Sequence, residues 1–458
     1  MWQKDRKTER QKDRKNRKIK RGVVYAILTN PIIVSVVLLC VLCLLKMNVM
    51  FSLIIACVVG GLLGKLPLMG ITSIMLDGFS ANAEAAMAYV LLGTFASCLA
   101  YTGITDIFSK KIAARVKGSK LTLCLIMFAI AVISQTFIPI HTAFIPILIP
   151  PLLGMMNEMK MDRRLMAGAL MLGMMPYIAA PVGYGLIFMN IVSENMVANG
   201  LNVSTSDVIR VNWMLILCFI PTVFYLWFRY KKPREYQDAQ ADLTAYSKVT
   251  STKLTKSHYI AIAAILVVAA VEVKTQSLTI SAAVGLLVMF VTGAIRWKDI
   301  EDRFTDGIHM MGGIAFVMLV AGGFGKVMRA TGGVETLVDA ASASMSGSKL
   351  ISATVIVLIG LIVTMGIGTS FGTVPVIAVI FVPLCVKLGF SPQATILMIS
   401  AAGALGDAGS PASDATLGPT CGLNADGQHD HIWDTCVPTF VSFNLPLMLG
   451  TILIAQFL

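Results

Sequence analysis

Apolar runs long enough to cross a bilayer are the feature that decides what this chain can become. They fall at about 30–46, 48–65, 87–108, 121–155, 165–195 and 213–230. After a polar stretch they resume at about 258–273, 277–295, 308–328, 350–388, 393–420 and 435–457. A helix needs about 20 apolar residues to span the hydrocarbon core. Within lipid every backbone N–H and C=O must be satisfied inside the protein, which favours helices of this length. The expected fold class is therefore an all-α polytopic membrane protein. Only 14% of the 458 residues are charged, against about 25% in soluble domains. The nine cysteines sit mostly inside apolar runs without metal-type clustering and read as small hydrophobes. The amino end stays charged for too long to be a cleavable signal peptide.

The two sets of runs have the same number and spacing, which suggests duplication. Adding 229 carries Asp77-Gly78 onto Asp306-Gly307, Gly93 onto Gly322, Thr102-Gly103 onto Thr331-Gly332, and Pro146 onto Pro375. One further inserted residue brings Pro181 onto Pro411. In each half the fourth run is too long and too broken for a simple span. Ser134-Gln-Thr-Phe-Ile-Pro-Ile-His-Thr-Ala-Phe-Ile-Pro146 interrupts the first, and Thr364-Met-Gly-Ile-Gly-Thr-Ser-Phe-Gly-Thr-Val-Pro375 the second. Both read as re-entrant hairpins with hydroxyl-rich tips. Each half then has about five transmembrane helices plus a hairpin and a broken helix, and the odd number of spans inverts the second repeat. The expected organisation is a basic disordered tail (1–22), a first repeat (23–230), a cytoplasmic linker (231–257) and a second repeat (258–458).

Charge placement bears on orientation. Residues 1–22 hold eleven Lys and Arg against Asp5, Glu9 and Asp13, most of the chain's net +12. A basic run beside a first membrane helix is a lipid contact or topology signal rather than a nucleic-acid arm. The loops around Lys110–Lys120, Lys160–Arg164 and Arg229–Arg234 are basic and fall on the cytoplasmic side of the inverted arrangement. That arrangement puts the tail outside, against the positive-inside rule.

The chemistry concentrates in Ala401-Ala-Gly-Ala-Leu-Gly-Asp-Ala-Gly-Ser-Pro-Ala-Ser-Asp-Ala-Thr-Leu-Gly-Pro419. Gly costs about 1 kcal/mol and Pro about 3 in a helix interior, so the helix should unwind between Asp407 and Asp414. Unwound backbone at that depth belongs where protein buries it or water reaches it, and ionisable groups there are functional by default. Carboxylates, hydroxyls and free carbonyls on a broken helix suit a cation site. Desolvation favours the protonated form of a carboxylate, so H+ and Na+ can compete for one group. The candidate ion- or substrate-binding residues are Asp407, Asp414, Ser410 and Ser413 on this break. Thr369, Ser370 and Thr373 come from the second hairpin, Gln135, His141 and Thr142 from the first. Tyr177 belongs to the first-half break Met175-Pro-Tyr-Ile-Ala-Ala-Pro-Val-Gly-Tyr-Gly185, where it takes the place of Asp407. Lys326 reads as a snorkelling cation, Asp306 and His309 as the start of a helix, and Asn190 as a helix–helix donor. Asp426, His429, Asp430, His431 and Asp434 look like a metal cluster but fall in a loop. No cofactor and no metal beyond transported Na+ is expected.

The run Gly406-Asp-Ala-Gly-Ser-Pro-Ala-Ser-Asp-Ala-Thr-Leu-Gly-Pro-Thr420, continuing Gly422-Leu-Asn-Ala-Asp-Gly-Gln-His-Asp-His-Ile-Trp-Asp434, resembles the Na+/H+ antiporter family of NhaC type, within the ion-transporter superfamily. The resemblance covers about residues 30–458 and is most specific over 403–437. It implies two inverted repeats meeting at a central site, a homodimer and elevator-type alternating access. The superfamily's dicarboxylate transporters carry Ser-Asn-Thr at both hairpin tips. Here Thr369-Ser370 and His141-Thr142 stand in comparable places without Asn, which argues against a dicarboxylate. Members of the family also look like permeases for amino acids such as histidine. The expected function is Na+/H+ antiport across the inner membrane. The alternative is a Na+- or H+-coupled permease for a small amino or organic acid. An intramembrane aspartyl protease would need a second Asp opposite Asp407, which the first half does not offer. Inverted duplication around a midplane site suits alternating access better than a channel.

Overall fold

The computed structural model describes residues 29–458 apart from 117, 138–144, 146–147, 238–253, 276, 334–335, 337–347 and 368–369. The tail 1–22, His141, Thr142 and Thr369 thus lie outside the described residues. All regular structure among the described residues is helical. The chain opens with α1 (Pro31–Leu44), α2 (Val49–Leu63), α3 (Leu68–Gly78), α4 (Ala83–Thr102) and α5 (Ile104–Val116). Then come α6 (Lys120–Val132), continued as a π-turn over Ile133–Phe137, and a short α7 (Leu153–Glu158). Next are α8 (Arg163–Met174), α9 (Gly183–Ala198), α10 (Thr205–Leu217) and α11 (Ile220–Tyr230). The order recurs from α12 (Lys256–Thr275) and α13 (Leu278–Val291) through the long α14 (Ile300–Ala330). It continues through α15 (Lys349–Ile367), α16 (Ser370–Lys387), α17 (Pro392–Ala404) and α18 (Asp414–Leu423). The last helix, α19 (His431–Ile454), carries two π-turns.

Local chemistry sets many of these starts. Asn30, Asn48, Ser119, Ser277 and Ser391 accept from backbone N–H groups in the first turns of α1, α2, α6, α13 and α17. Ser204 and Asp207 close a reciprocal capping box on α10. Among the described residues, four helical stretches are by themselves long and apolar enough to cross a membrane: Thr205–Tyr230, Met311–Ala330, Lys349–Gly366 and His431–Ile454. Several apolar helices are shorter, among them Pro31–Leu44, Val49–Leu63 and Leu278–Val291. α17 and α18, with 13 and 10 residues, reach span length only together. Val37, Leu125, Phe224, Leu287 and Leu449 stand exposed on the outer surface, as lipid contact requires. All nine cysteines are free and seven are buried.

Packing between the two sets of helices comes in exchanged pairs. α1 packs on α2 as α12 packs on α13; α2 packs on α14 as α13 packs on α4; α6 packs on α8 as α15 packs on α17. At the α4–α14 crossing, a Cβ on Gly93 would lie 2.5 Å from the Gly307 carbonyl oxygen. The exchanged contact is that of Gly78, whose Cβ would lie 2.8 Å from the Gly322 oxygen and 2.6 Å from Gly323 Cα. Only residues without side chains let two backbones approach so closely. The polar contacts follow the same rule. Lys326 lies 3.8 Å from Asp77, and Ser97 donates to Asp306 at 3.0 Å, each residue of one pair being the 229-shifted counterpart of one in the other. Gly103, at φ +77°, follows directly on the end of α4, and Gly332, at φ +64°, stands one residue beyond the end of α14.

Several sequence expectations need correction. The second hairpin is interrupted over a shorter stretch than Thr364–Pro375: α15 runs to Ile367, α16 starts at Ser370, and Pro375 lies inside α16. Thr364 stays helical because its hydroxyl bonds back to the Gly360 carbonyl at 2.7 Å and across to that of Ala402 at 2.6 Å. Asp306 and His309 are inside α14, which begins at Ile300, and Asp306 pairs with Arg303 at 2.6 Å. Asn190 accepts from Thr205 rather than donating, at 2.8 Å.

Candidate ion-binding site

α17 ends at Ala404 and α18 begins at Asp414, so the chain is unwound over 405–413, as its Gly and Pro content predicts. Every residue from Ala394 to Ser413 is buried. Gly409 adopts φ +78° with Phe440 so close that a Cβ would sit 2.6 Å from that residue's Cβ. A Cβ on Gly406 would meet the Thr364 carbonyl oxygen at 2.6 Å. Buried carbonyls released by the break need partners, and neighbouring side chains supply them. Asn444 donates to Ala408 O at 2.7 Å, Thr416 to Ser410 O at 2.6 Å, and His431 Nε2 lies 2.9 Å from Pro411 O. Ser410 donates to Met365 O at 3.1 Å, while Ser413 caps α18 by accepting from Ala415 N at 3.2 Å. The hydroxyls of Ser410 and Ser413 thus serve the backbone of the break.

Asp407 is 6% exposed. Its Oδ2 accepts a hydrogen bond from the phenol of Tyr177, which lies in the 3-10 turn Met175–Ile178 between α8 and α9. The hydroxyl and backbone amide of Ser370 reach the same carboxylate. Ser370 is the first residue of α16, so the positive end of that helix faces Asp407. The break of one half, the break of the other and the start of a hairpin arm converge on one acid. Tyr177 packs edge-on against Tyr184 and Phe188 of α9, with ring centroids 5.7 and 5.3 Å apart. Tyr184 faces both Asp407 and Asp414. Asp414 is only partly buried, and its Oδ1 accepts from Ala415 N at 2.8 Å.

Thr373 is fully buried on α16. Gln135 and Thr136 lie on the π-turn after α6, which packs against α9 and the Tyr177 turn. Both are buried, and among the described residues Gln135 Oε1 and Thr136 Oγ1 have no hydrogen-bond partner. The structure thus gathers Asp407, Tyr177 and Ser370 directly, sets Asp414 across Tyr184, and leaves Gln135 beside the first-half turn. Tyr184 escaped the sequence reading, although it stands seven residues after Tyr177 on the same broken helix.

Beside this site the acidic and histidine residues after α18 form a charge-paired clasp. Among the described residues no group of three or more His, Cys, Asp or Glu is placed to hold a metal ion. Arg163 and Asp426 form a bidentate pair, at 2.6 and 2.5 Å, with both side chains 0% exposed. Arg234 pairs with Asp434 at 2.7 Å, and Tyr236 stacks on the Arg163 guanidinium at 4.2 Å. Burial pushes the Asp426 carboxyl up, but the bond and charge of Arg163 outweigh it and hold the group below the usual carboxylate range. Burial likewise holds His429 below the usual imidazole range, with the Asp434 charge opposing. His431 Nδ1, Thr420, Thr435 and His429 Nε2 are linked by contacts of 2.8, 2.9 and 2.7 Å.

Comparison with known proteins agrees with this architecture. Residues 168–454 match the Na+/H+ antiporter family and residues 30–116 a second family described as Na+-H+ antiporter. A membrane protein of Vibrio parahaemolyticus is 44% identical over 438 residues, 92% of this chain and 98% of that protein. The YuiF protein of Bacillus subtilis, whose name assigns it provisionally to amino acid transport, is 43% identical over 441 residues, with the same coverage of 92% and 98%. Among solved structures, the YdaH transporter of Alcanivorax borkumensis aligns at 12% identity and a TM-score of 0.42, over 85% of this chain and 88% of that one. At that distance the likeness carries no structural argument. The family match and the helical membrane architecture agree: the chain is a multi-pass membrane transporter and belongs to the Na+/H+ antiporter family.

Proposed function

We propose that the protein is a secondary active transporter of the inner membrane that exchanges Na+ for H+ by alternating access, with Asp407 as the exchanging group. The observation that carries this reading is the buried Asp407 carboxylate, set on an unwound segment and held from the opposite half by Tyr177. An ionised carboxylate without a partner is too costly to carry through a low-dielectric interior. It can be neutralised by a proton or by a cation, so movement is favourable only in a loaded state. Exchange of one load for the other follows. The Tyr177 and Ser370 donors hold the carboxylate ready, and a proton or cation must take over part of what they supply.

The exchanged contacts at Gly93–Gly307 and Gly78–Gly322 support reading residues 23–230 and 258–458 as two inverted repeats, joined by a linker over 231–257. The hairpin-tip residues Thr369, His141 and Thr142 are proposed to line the same site together with Ser370, Thr373 and Gln135. A homodimer is proposed with them. The test is a Na+ gradient imposed on proteoliposomes containing a pH-sensitive dye. Wild-type protein is expected to change the internal pH with no other solute present, and Asp407→Asn to abolish the response at unchanged expression, since an amide neither titrates nor holds a cation by charge. Wild-type rates in that variant would remove the central claim.

A second reading, a Na+- or H+-coupled permease for a small amino acid or organic acid, draws on a separate observation. The wall formed by Tyr177, Tyr184 and Phe188, with the buried Gln135 and Thr136 nearby, has more apolar surface than a bare ion needs. The name of the Bacillus subtilis relative points the same way. A pH or current response that appears only when an amino acid such as histidine is added would select this reading.

A further inference from the structure

The span Thr205–Tyr230 is interrupted at Cys218–Phe219, where α10 gives way to α11, and Pro221 follows in the first turn of α11. Facing it, α19 carries the π-turn Phe440–Asn444 and then Pro446. α10 and α11 both pack on α19. The seam is held by the Phe219 and Phe443 rings, 5.7 Å apart, and by a hydrogen bond from Thr222 to Ser442 O. A Cβ on Gly450 would lie 2.2 Å from Cys218 Sγ, so α19 comes close where it has no side chain. Beside this seam the helices leave a groove of about 510 Å³, with Cys218, Pro221, Tyr225, Leu445, Leu449 and Gly450 in its walls. That is within the range of about 300–1,000 Å³ found for small-molecule sites. Ser442, also in the wall, spends its hydroxyl on Pro438 O at 2.7 Å, so the groove suits hydrocarbon. Tyr225, Leu445 and Leu449 are exposed along it, which leaves it open toward the lipid.

At its α11 end the groove meets positive charge. The ring of Tyr225 lies 6.2 Å from that of Tyr230, and the Arg229 guanidinium stands 5.3 Å from the centroid of the Tyr230 ring. Lys231 Nζ lies 4.9 Å from the Phe228 ring, and Lys232 is next in the chain. All three cations are exposed. The carboxylates nearby are already paired: Asp162 with Arg164, Asp434 with Arg234 and Glu235 with Lys160, each at 2.7 Å. Among the described residues no carboxylate pairs with Arg229, Lys231 or Lys232. We infer that this groove is a binding site for an anionic phospholipid, its phosphate held by Arg229, Lys231 and Lys232 and one acyl chain lying between α11 and α19. The lengths match. Arg229 back to Leu217 is about 18 Å of helix, and half of a 30 Å hydrocarbon core is about 15 Å. A zwitterionic headgroup would bring its own ammonium to these cations, whereas a net negative one gains from each of them. The chain in the groove would brace the seam beside Asn444, which donates to Ala408 O of the break. This inference does not depend on which solute the protein carries.

The test follows the melting temperature of the full chain in neutral detergent as phosphatidylglycerol, phosphatidylcholine with the same acyl chains, or glycerol phosphate is added. Phosphatidylglycerol should raise it saturably and the other two should not, since binding to the folded state alone stabilises it. Arg229→Gln should raise the half-saturating phosphatidylglycerol concentration about fivefold, and the triple variant with Lys231→Gln and Lys232→Gln on the order of a hundredfold. Leu449→Trp, which fills the groove and leaves the cations in place, should weaken binding as well. These four side chains are exposed, so the variants should melt with wild type when no lipid is added. Equal stabilisation by the two lipids, or an unchanged phosphatidylglycerol response in the triple variant, overturns the inference. A response to glycerol phosphate alone makes this a plain anion site, and an unchanged response in Leu449→Trp places the acyl chain elsewhere; either result overturns it. Conversion of a dimer to a monomer by Leu449→Trp in light scattering would assign the groove to a second copy of the chain and also overturn it.

Discussion

Breaking the Arg163–Asp426 pair should cost this protein a large part of its stability, and more than removing the pair altogether. The guanidinium donates to both Asp426 oxygens at 2.6 and 2.5 Å, to Leu423 O at 2.8 Å and to Asn157 Oδ1 at 3.0 Å. Neither side chain reaches solvent. Asp426→Asn removes the negative charge, turns one acceptor into an N–H that faces another N–H, and leaves the arginine charge buried. Removing one member of a buried pair costs about 3–5 kcal/mol, against a total stability of roughly 5–15 kcal/mol for folded domains. Replacing both, as in Arg163→Met with Asp426→Leu, removes the uncompensated charge and should recover most of that loss. Thermal unfolding in detergent can be followed with a thiol-reactive dye, since seven cysteines are buried and free. The expected order of melting temperature is wild type, then the double variant, then Asp426→Asn. A single variant within about 1 kcal/mol of wild type, or a double variant below the single, would refute the reasoning.

The glycine crossing makes a second prediction. A Cβ on Gly307 would lie 2.3 Å from Thr94 N and 2.5 Å from Thr94 Cα, backbone atoms that cannot turn aside, so Gly307→Ala should force α4 and α14 apart and lower both yield and melting temperature. Gly313→Ala, on the same helix with nothing within 4 Å, should instead be neutral or stabilise by up to about 1 kcal/mol. A third concerns acid. His429 stays neutral when folded because burial holds it below the usual imidazole range, whereas in the unfolded chain it gains a proton as pH falls through about 6.5. The unfolded state then binds more protons, so His429 should lower stability as pH drops below that value, by at most about 1.4 kcal/mol per pH unit. Melting curves of wild type and His429→Gln between pH 7.5 and about pH 5 should diverge in slope; parallel curves would exclude the effect.

Local chemistry made the breaks legible. Gly406, Gly409 and Pro411 forbid a continuous helix, and the structure unwinds over 405–413. The Tyr177–Asp407 correspondence between halves became a hydrogen bond between them. Residues matched by the internal repeat, Gly93 with Gly322 and Gly78 with Gly307, are those where the backbones cross. Long-range pairing was not legible. Arg163 looks like any loop cation until the fold brings Asp426 to it, and the histidines after α18 look like ligands until hydroxyls and a carbonyl engage them. The Thr364 stretch looked like a break because back-bonding to Gly360, which lets a threonine remain helical at that depth, leaves no mark in composition.

The unbroken burial from Ala394 to Ser413 has a kinetic consequence. A carboxyl group this enclosed trades its proton with bulk water only when the surrounding helices part, however strong an acid it is. The same opening must expose the amides of 405–413, whose hydrogens are otherwise shielded along with it. Deuterium uptake in that segment and transport turnover should therefore run on one clock, and a variant that slows the first should slow the second in proportion.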